Sequence, residues 1–451
     1  MERKLYDLTV GQNLLTFGLK FMPHAKIMNI NMEFQFDSEV DQHILMEAIN
    51  LAALRNPNNR IRLTVKDKVT YQYFSNDSQD KIDYMEFSTE EDYERYVKKA
   101  CETKFPNKSM DVQLYRLSVL KKPNGKLAIL GVFSHFIYDA YSGVMLFKEI
   151  VDLYKALMNN MPLPAETISP IAAYEEEKAY LNSERFESDK KYFEEAFKTE
   201  PRYTVLSGKK CKAFRKNKRT GLASYVASPS CRADAIVIPF EREFTDKVNK
   251  YALNNRISTQ NVYMLALRTY LSIVCESDDV MFDCSANRRT TLVRRRAGGT
   301  LGDSVKFRTV YKNDISFKEA LHIVSKVILE GYKHVDFGVQ NVESIISKNF
   351  NASPLNNYNS VIFTYQAPSK LDSEIEYTIR HLSNGREWTG CYIMIMPCNS
   401  NNDYVADYSY LKSMCSEKDV RDFHEFMVRF IEEGLNDDSV SIDEIIKKVG
   451  K

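Results

Sequence analysis

Leu127-Ala128-Ile129-Leu130-Gly131-Val132-Phe133-Ser134-His135-Phe136-Ile137-Tyr138-Asp139-Ala140-Tyr141-Ser142 is the stretch on which the reading of this chain turns. Leu127 to Phe133 is an almost unbroken apolar run, predicted as a largely buried strand entered from the turn Lys122-Pro123-Asn124-Gly125. Ser142 can cap a helix, in which Val144, Leu146, Phe147, Ile150, Val151, Tyr154 and Leu157 make one broad apolar stripe. His135 and Asp139 therefore fall on a strand-to-helix connection, where backbone geometry is fixed on both sides. An imidazole and a carboxylate held this way suit a catalytic base and its support. A satisfied core histidine shows the same spacing, so the rest of the chain has to decide between the two.

Upstream, Ile30 to Phe36 alternates apolar and polar positions as a half-buried strand does. Ser38 can N-cap the following helix with Asp41 at its third position, and Ile44, Leu45, Ala48, Ile49 and Ala52 form its apolar face. Downstream, Asn159 to Pro164 and on to Pro170 carries three prolines and reads as a linker. A charged helix follows over roughly 172–197, then a basic polar loop at 209–219, then an apolar helix from a Ser258 cap through Val262, Leu265, Ala266, Thr269, Tyr270 and Val274. Alternating strand and helix periods predict an α/β, or α+β, layered protein. With 451 residues, the chain exceeds the size at which one core keeps growing, and two lobes are expected.

Apolar residues make up 44% and charged ones 27%, as in folded globular proteins. The formal charge of +1 gives no electrostatic reason to expect nucleic acid or an anionic membrane as partner. No run approaches the ~18 apolar residues of a membrane span, and the N-terminus mixes acids with bases, unlike a signal peptide. The expectation is a cytoplasmic protein. Its eight cysteines are scattered without a CxxC pair or a nearby histidine, which predicts reduced, mainly buried thiols and no metal site. No glycine-rich phosphate loop is present.

Further motifs join the central one in a definite order. Leu8-Thr9-Val10-Gly11-Gln12 comes first, and Arg55-Asn56-Pro57-Asn58-Asn59-Arg60 follows the first long helix. Beyond the His135 segment come Asp278 to Ser285 ending in Ala286-Asn287-Arg288, Leu301-Gly302-Asp303-Ser304-Val305, and His334-Val335-Asp336-Phe337-Gly338. From about Leu5 to Ile446 this order resembles the condensation domain of nonribosomal peptide synthetases, within the chloramphenicol-acetyltransferase-like acyltransferases. The family's central motif is two histidines, three residues, then Asp-Gly. Ser134 stands for the first histidine and Ala140 for the glycine.

The resemblance implies two acyltransferase-like lobes, 1–168 and 169–451, forming a V-shaped pseudo-dimer with an interlobe tunnel. It makes His135 the catalytic residue, with Asp139 a structural carboxylate paired to Arg288 and Ser134 supporting the loop. Tyr138, Ala140 and Ser142 are expected beside the tunnel, and His334 and Asp336 are expected to be architectural. The Ala140 methyl restricts φ where the family has glycine. The implied activity is a free-standing, monomeric amide-forming acyltransferase of natural-product biosynthesis. Its donor is a thioester on phosphopantetheine, presented by an acyl or peptidyl carrier protein in trans or as acyl coenzyme A. Its acceptor is a small-molecule amine, and no cofactor is bound permanently. Two alternatives share the fold: an ester-forming enzyme using acyl coenzyme A and an alcohol, and a degenerate carrier-binding scaffold. Arg288, Arg289, Arg294, Arg295 and Arg296, or the 209–219 loop, are candidate contacts for an acidic carrier or for coenzyme A phosphates.

Overall fold

The computed structural model describes residues 3–21, 25–75, 82–211, 231–350, 358–368, 371–372 and 374–450. Its strands are β1 (Asn29–Phe36), β2 (Ile61–Lys66), β3 (Val69–Phe74), β4 (Asp83–Glu86), β5 (Tyr115–Lys121), β6 (Leu127–Ser134) and β7 (Ala233–Pro239). The series continues with β8 (Asp279–Ala286), β9 (Asp303–Val310), β10 (Val361–Tyr365), β11 (Tyr377–Leu382), β12 (Cys391–Pro397) and β13 (Tyr404–Leu411). One sheet has the order β11-β1-β6-β5-β4 and another β7-β13-β12-β10-β8-β9, while β2 and β3 form a separate ribbon. Each large sheet has its own apolar core. The layered α/β expectation is met.

The hairpin before β6 forms at Lys122–Gly125, with Gly125 at φ +82°, a left-handed conformation that glycine adopts without a Cβ clash. All eight residues of β6 are buried, as the apolar run predicts. β1 differs from the half-buried expectation, because both of its faces are covered. Phe34 stacks between Phe147 and Tyr377 on one face. On the other, Glu33 is buried against Arg380 and Lys122 and accepts a hydrogen bond from the Tyr93 hydroxyl.

Two helix starts also differ from expectation. Asp41, not Ser38, caps the helix Gln42–Arg55 by accepting from the His43 and Ile44 amides, and the Ser38 hydroxyl accepts from the Glu376 amide. The charged stretch predicted as one helix divides into Pro170–Leu181 and Glu184–Ala196, because the Ser183 side chain caps the second by accepting from the Phe186 amide. The helix Thr259–Cys275 begins directly after Ser258 as predicted, although the Ser258 side chain makes no cap bond.

The division of the sequence at 168/169 is not a division of the sheets. β11 comes from the second stretch yet pairs antiparallel with β1, with Phe34 opposite Ile379. Its outer edge bonds to the segment after β12, through Ile379 N to Cys398 O and Ser400 N to Tyr377 O. The proline-rich stretch is itself held down, with the Ile168 amide donating to Arg296 O. Of the basic loop, residues 212–219 lie outside the described residues. No helix among the described residues is long and apolar enough to cross a membrane. None of the eight cysteines is in a disulfide among the described residues, and every one but Cys398 is buried. Burial pushes the Cys101 and Cys284 thiols up to about 12, which leaves them poor nucleophiles.

Candidate active site

β6 ends at Ser134, and the chain turns at once. The Ile137 and Tyr138 amides both donate to Ser134 O, while the Ser134 and His135 amides are tied to Leu114 O and Met28 O. The loop is clamped from two further sides. Gln12 Nε2 donates to Phe136 O at 2.8 Å, and the Thr300 hydroxyl donates to His135 O. Thr9 Oγ1 donates to Thr300 O at 3.1 Å, so the two clamps brace each other. The motifs around Gln12 and Leu301 therefore act on the same loop from opposite ends of the sequence.

His135 Nδ1 lies 3.1 Å from Tyr138 O. A carbonyl oxygen only accepts, so Nδ1 carries the proton and the Nε2 lone pair is left for another partner. Nε2 bonds to none of the described residues. The ring keeps partial exposure but has lost most of its water. Burial holds its pKa below the ordinary histidine value, opposed by the charge of Asp139. At neutral pH the site thus holds a neutral imidazole with one oriented lone pair.

Asp139 caps the helix Ala140–Met158, with its carboxylate accepting from Ser142 N at 2.8 Å and the Ser142 hydroxyl bonding back to the Asp139 amide at 2.9 Å. Ser142 is thus the third residue of a capping box and not the cap expected from sequence. The same carboxylate receives Arg289 bidentately, at 2.8 and 3.1 Å, and the Leu301 and Gly302 amides at 3.1 and 3.0 Å. Burial works to raise the Asp139 pKa, but the Arg289 charge and these donors outweigh it and hold the carboxyl below its usual range.

The expected Asp139–Arg288 pair is corrected. Arg288 is buried against Glu177 at 2.7 Å and Asp336 O at 3.2 Å. It sits at φ +51°, and this left-handed residue after β8 sends consecutive guanidinium groups to different partners, which leaves Arg289 to reach Asp139. Asp336 takes Arg294 and lies 3.8 Å from Arg288, while His334 Nδ1 contacts Asp189 at 2.7 Å and its ring stacks on Tyr192. These groups form an ionic network away from the His135 imidazole. Arg288, Arg289 and Arg294 are consequently buried in ion pairs, and of the arginine cluster only Arg295 and Arg296 stay exposed to meet an anionic partner.

Ser134 is fully buried, and its hydroxyl accepts from Phe136 N at 3.4 Å, within the loop it was expected to support. Tyr138 differs from a tunnel residue. It has no exposed surface, packs on Phe133 at 4.4 Å and donates its hydroxyl to Asn59 Oδ1 at 2.9 Å. Ser142 is likewise enclosed, because its hydroxyl serves Asp139. Ala140 is the first residue of its helix and has no positive φ, so the backbone needs no glycine there. Ala140→Gly is accordingly expected to lower stability by about 1 kcal/mol or less and to leave catalysis within about twofold, measured by thermal melting and initial rates. A large gain in rate would mean that the methyl obstructs a substrate.

The sequence names Arg289 only as a candidate anion contact and Gln12 only within a motif, and it singles out neither Glu177 nor Thr300, although all four hold the groups around this loop. Asn287-Arg288-Arg289 offers two adjacent guanidiniums, and nothing in the local pattern chooses between them.

A model of the condensation domain family matches residues 2–446. Among curated proteins, a plipastatin synthase of Bacillus subtilis (strain 168) is 20% identical over 456 residues, covering 96% of this chain and 16% of that protein. A surfactin synthase of the same organism is 21% identical over 453 residues, covering 99% of this chain and 12% of that protein. The chain therefore spans less than a fifth of each of these relatives. Among solved structures, the first condensation domain of the calcium-dependent antibiotic synthetase, in complex with a substrate analogue, superposes with a TM-score of 0.82 at 16% identity, over 98% of this chain and 99% of that one. VibH, described as a nonribosomal peptide synthetase condensation enzyme, gives 0.75 at 15% identity, over 94% and 95%. The starter condensation domain of rhizomide synthetase, solved with C8-CoA, gives 0.80 at 12% identity, over 98% and 97%.

Proposed function

Since the chain belongs to the condensation domain family, we propose that it transfers an acyl or aminoacyl group from a phosphopantetheine thioester to an amine, forming an amide. The observation that carries this reading is the committed tautomer of His135: Nδ1 is occupied by Tyr138 O, and the Nε2 lone pair is free among the described residues. The amine nitrogen attacks the thioester carbonyl, and the carbonyl π electrons move onto oxygen. Nε2 takes the proton that the nitrogen sheds. Collapse of the tetrahedral species breaks the C–S bond, and the departing thiolate receives that proton from Nε2 and leaves as the thiol. Holding both reactants in one cleft supplies a further part of the rate.

The donor is presented by a carrier protein or as acyl coenzyme A; the rhizomide domain solved with C8-CoA supports the second form for a related fold. An alcohol acceptor would change only the attacking atom and would give an ester. Offering an amine and an alcohol of equal size with one acyl thioester separates the two, and ester as the main product would overturn the amide assignment.

The reading also fixes a pH dependence. A base with a depressed pKa stays unprotonated to lower pH, so the acid limb of kcat/KM should fall below the ordinary imidazole value of about 6.5. A limb above that value would mean that another group titrates.

A further inference from the structure

Arg289 carries five N–H donors, and hydrogen-bond acceptors meet four of them. Nη1 donates to Asp139 Oδ2 at 2.8 Å and to Asn287 O at 3.2 Å, and Nη2 donates to Asp139 Oδ1 at 3.1 Å and to Gly299 O at 3.0 Å. Nε is buried and meets no acceptor among the described residues. A buried charge that is short of a hydrogen bond needs stabilisation from elsewhere. Tyr141 supplies it. The guanidinium carbon of Arg289 lies 4.3 Å from the centre of the Tyr141 ring, close enough for the negative face of the ring to attract the cation.

Tyr141 is the second residue of the helix Ala140–Met158 and follows Asp139 by two places. Its ring is held at the far end as well. The hydroxyl donates to Arg295 O at 3.2 Å, and Arg295 Nε donates to Arg289 O at 3.2 Å, so Tyr141, Arg295 and Arg289 close a circuit of contacts. Tyr141 packs in none of the apolar clusters among the described residues, and filling a core is not what it does. The Arg289 and Asp139 side chains are 1% and 8% exposed, whereas Tyr141 is 37% exposed. The ring is thus the outermost of the three, with one side on the guanidinium and the rest toward solvent.

We infer that Tyr141 is a positioning residue for acyl transfer: its ring keeps water from the Asp139–Arg289 pair, and through that pair it holds the loop that carries His135. Water admitted to the pair would weaken the attraction between the two charges and compete with the Leu301 and Gly302 amides for the carboxylate. The loop would then lose its fixed geometry. The catalytic part of the inference rests on the acyl-transfer reading, while the seal over the ion pair is a property of the fold.

The test compares Tyr141→Leu, which keeps an apolar side chain without a π face, with Tyr141→Phe, which keeps the face and loses only the bond to Arg295 O. Tyr141 is partly exposed and outside the apolar clusters, so both variants should fold. With an acyl thioester and an amine, Tyr141→Phe should keep kcat within about threefold of wild type and Tyr141→Leu should lose at least about tenfold, with KM unchanged in both. Raising sodium chloride from about 0.05 M to about 0.5 M should widen the gap in kcat by about a further threefold, since an ion pair open to water is screened far more than an enclosed one. The melting temperatures of the two variants should part with salt in the same sense, a measurement that needs no substrate. Equal kcat in the two variants, a change confined to KM, or a gap that salt leaves as it was overturns the inference. Melting temperatures that part with salt in a protein that transfers no acyl group would leave the seal standing and reject the acyl-transfer reading alone.

Discussion

Replacing His135 with alanine should lower acyl transfer by about 10²- to 10⁴-fold, the usual contribution of a positioned acid or base. The folded state should survive, because the ring is partly exposed and its side chain makes one hydrogen bond among the described residues, to Tyr138 O. Losing that bond costs about 1 kcal/mol. His135→Asn sharpens the experiment. Its amide can keep a donor near the Tyr138 carbonyl but offers no basic nitrogen, so it should be as inactive as His135→Ala and more stable. If either variant turned over the substrates at the wild-type rate, His135 would not be the base. If His135→Asn restored activity, the histidine would serve only to hold the loop.

Breaking the Asp139–Arg289 pair should have the largest effect on stability. Asp139→Ala leaves a buried guanidinium unpaired, and Arg289→Ala leaves a buried carboxylate unpaired, each at about 3 to 5 kcal/mol. The carboxylate also holds the start of the helix Ala140–Met158 and the Leu301 and Gly302 amides, so the loop presenting His135 loosens with it. Arg289→Lys should rescue little, since an ammonium cannot span both carboxylate oxygens. Double-mutant cycles identify the true partner. Asp139→Ala and Arg289→Ala should be strongly non-additive, whereas Asp139→Ala and Arg288→Ala should be closer to additive, because Arg288 is bound to Glu177. The reverse pattern would reinstate Arg288 as the partner.

The same pair carries a signed pH dependence. The folded pKa of Asp139 lies below the unfolded value of about 3.9, so its contribution is complete above that pH and is lost as pH falls through the folded value. Asp303 has the opposite sign. Burial raises it to about 6, so its unfavourable contribution is present above pH 6 and fades as pH falls toward the unfolded value. Thermal melts between pH 3 and 7, with Asp139→Asn as control, separate the two. The control should lose less stability than wild type on acidification.

Local pattern was enough to find the hairpin at Lys122–Gly125, the buried strand after it, the apolar helix around Ser142 and the position of His135 between them. These are properties of neighbouring residues: a turn that wants glycine, an apolar run and a helical stripe. The layered class followed from the same periods. What the local pattern could not decide was pairing over distance. Ser38 and Asp41 are both residue types that cap helices, and in the fold Asp41 caps this one while Ser38 accepts from the Glu376 amide, far along the chain. Arg288 and Arg289 are equivalent in sequence, and a left-handed residue at the end of β8 sends one to Glu177 and the other to Asp139. β11 lies in the second stretch of the sequence and yet joins the first sheet, because backbone pairing answers to register in space and not to order along the chain. Sequence alone therefore determined where the proposed base sits and on what kind of connection. The tertiary structure decided which charge holds that connection, because hydrogen bonds and ion pairs are short-ranged and their partners meet only once the chain has folded.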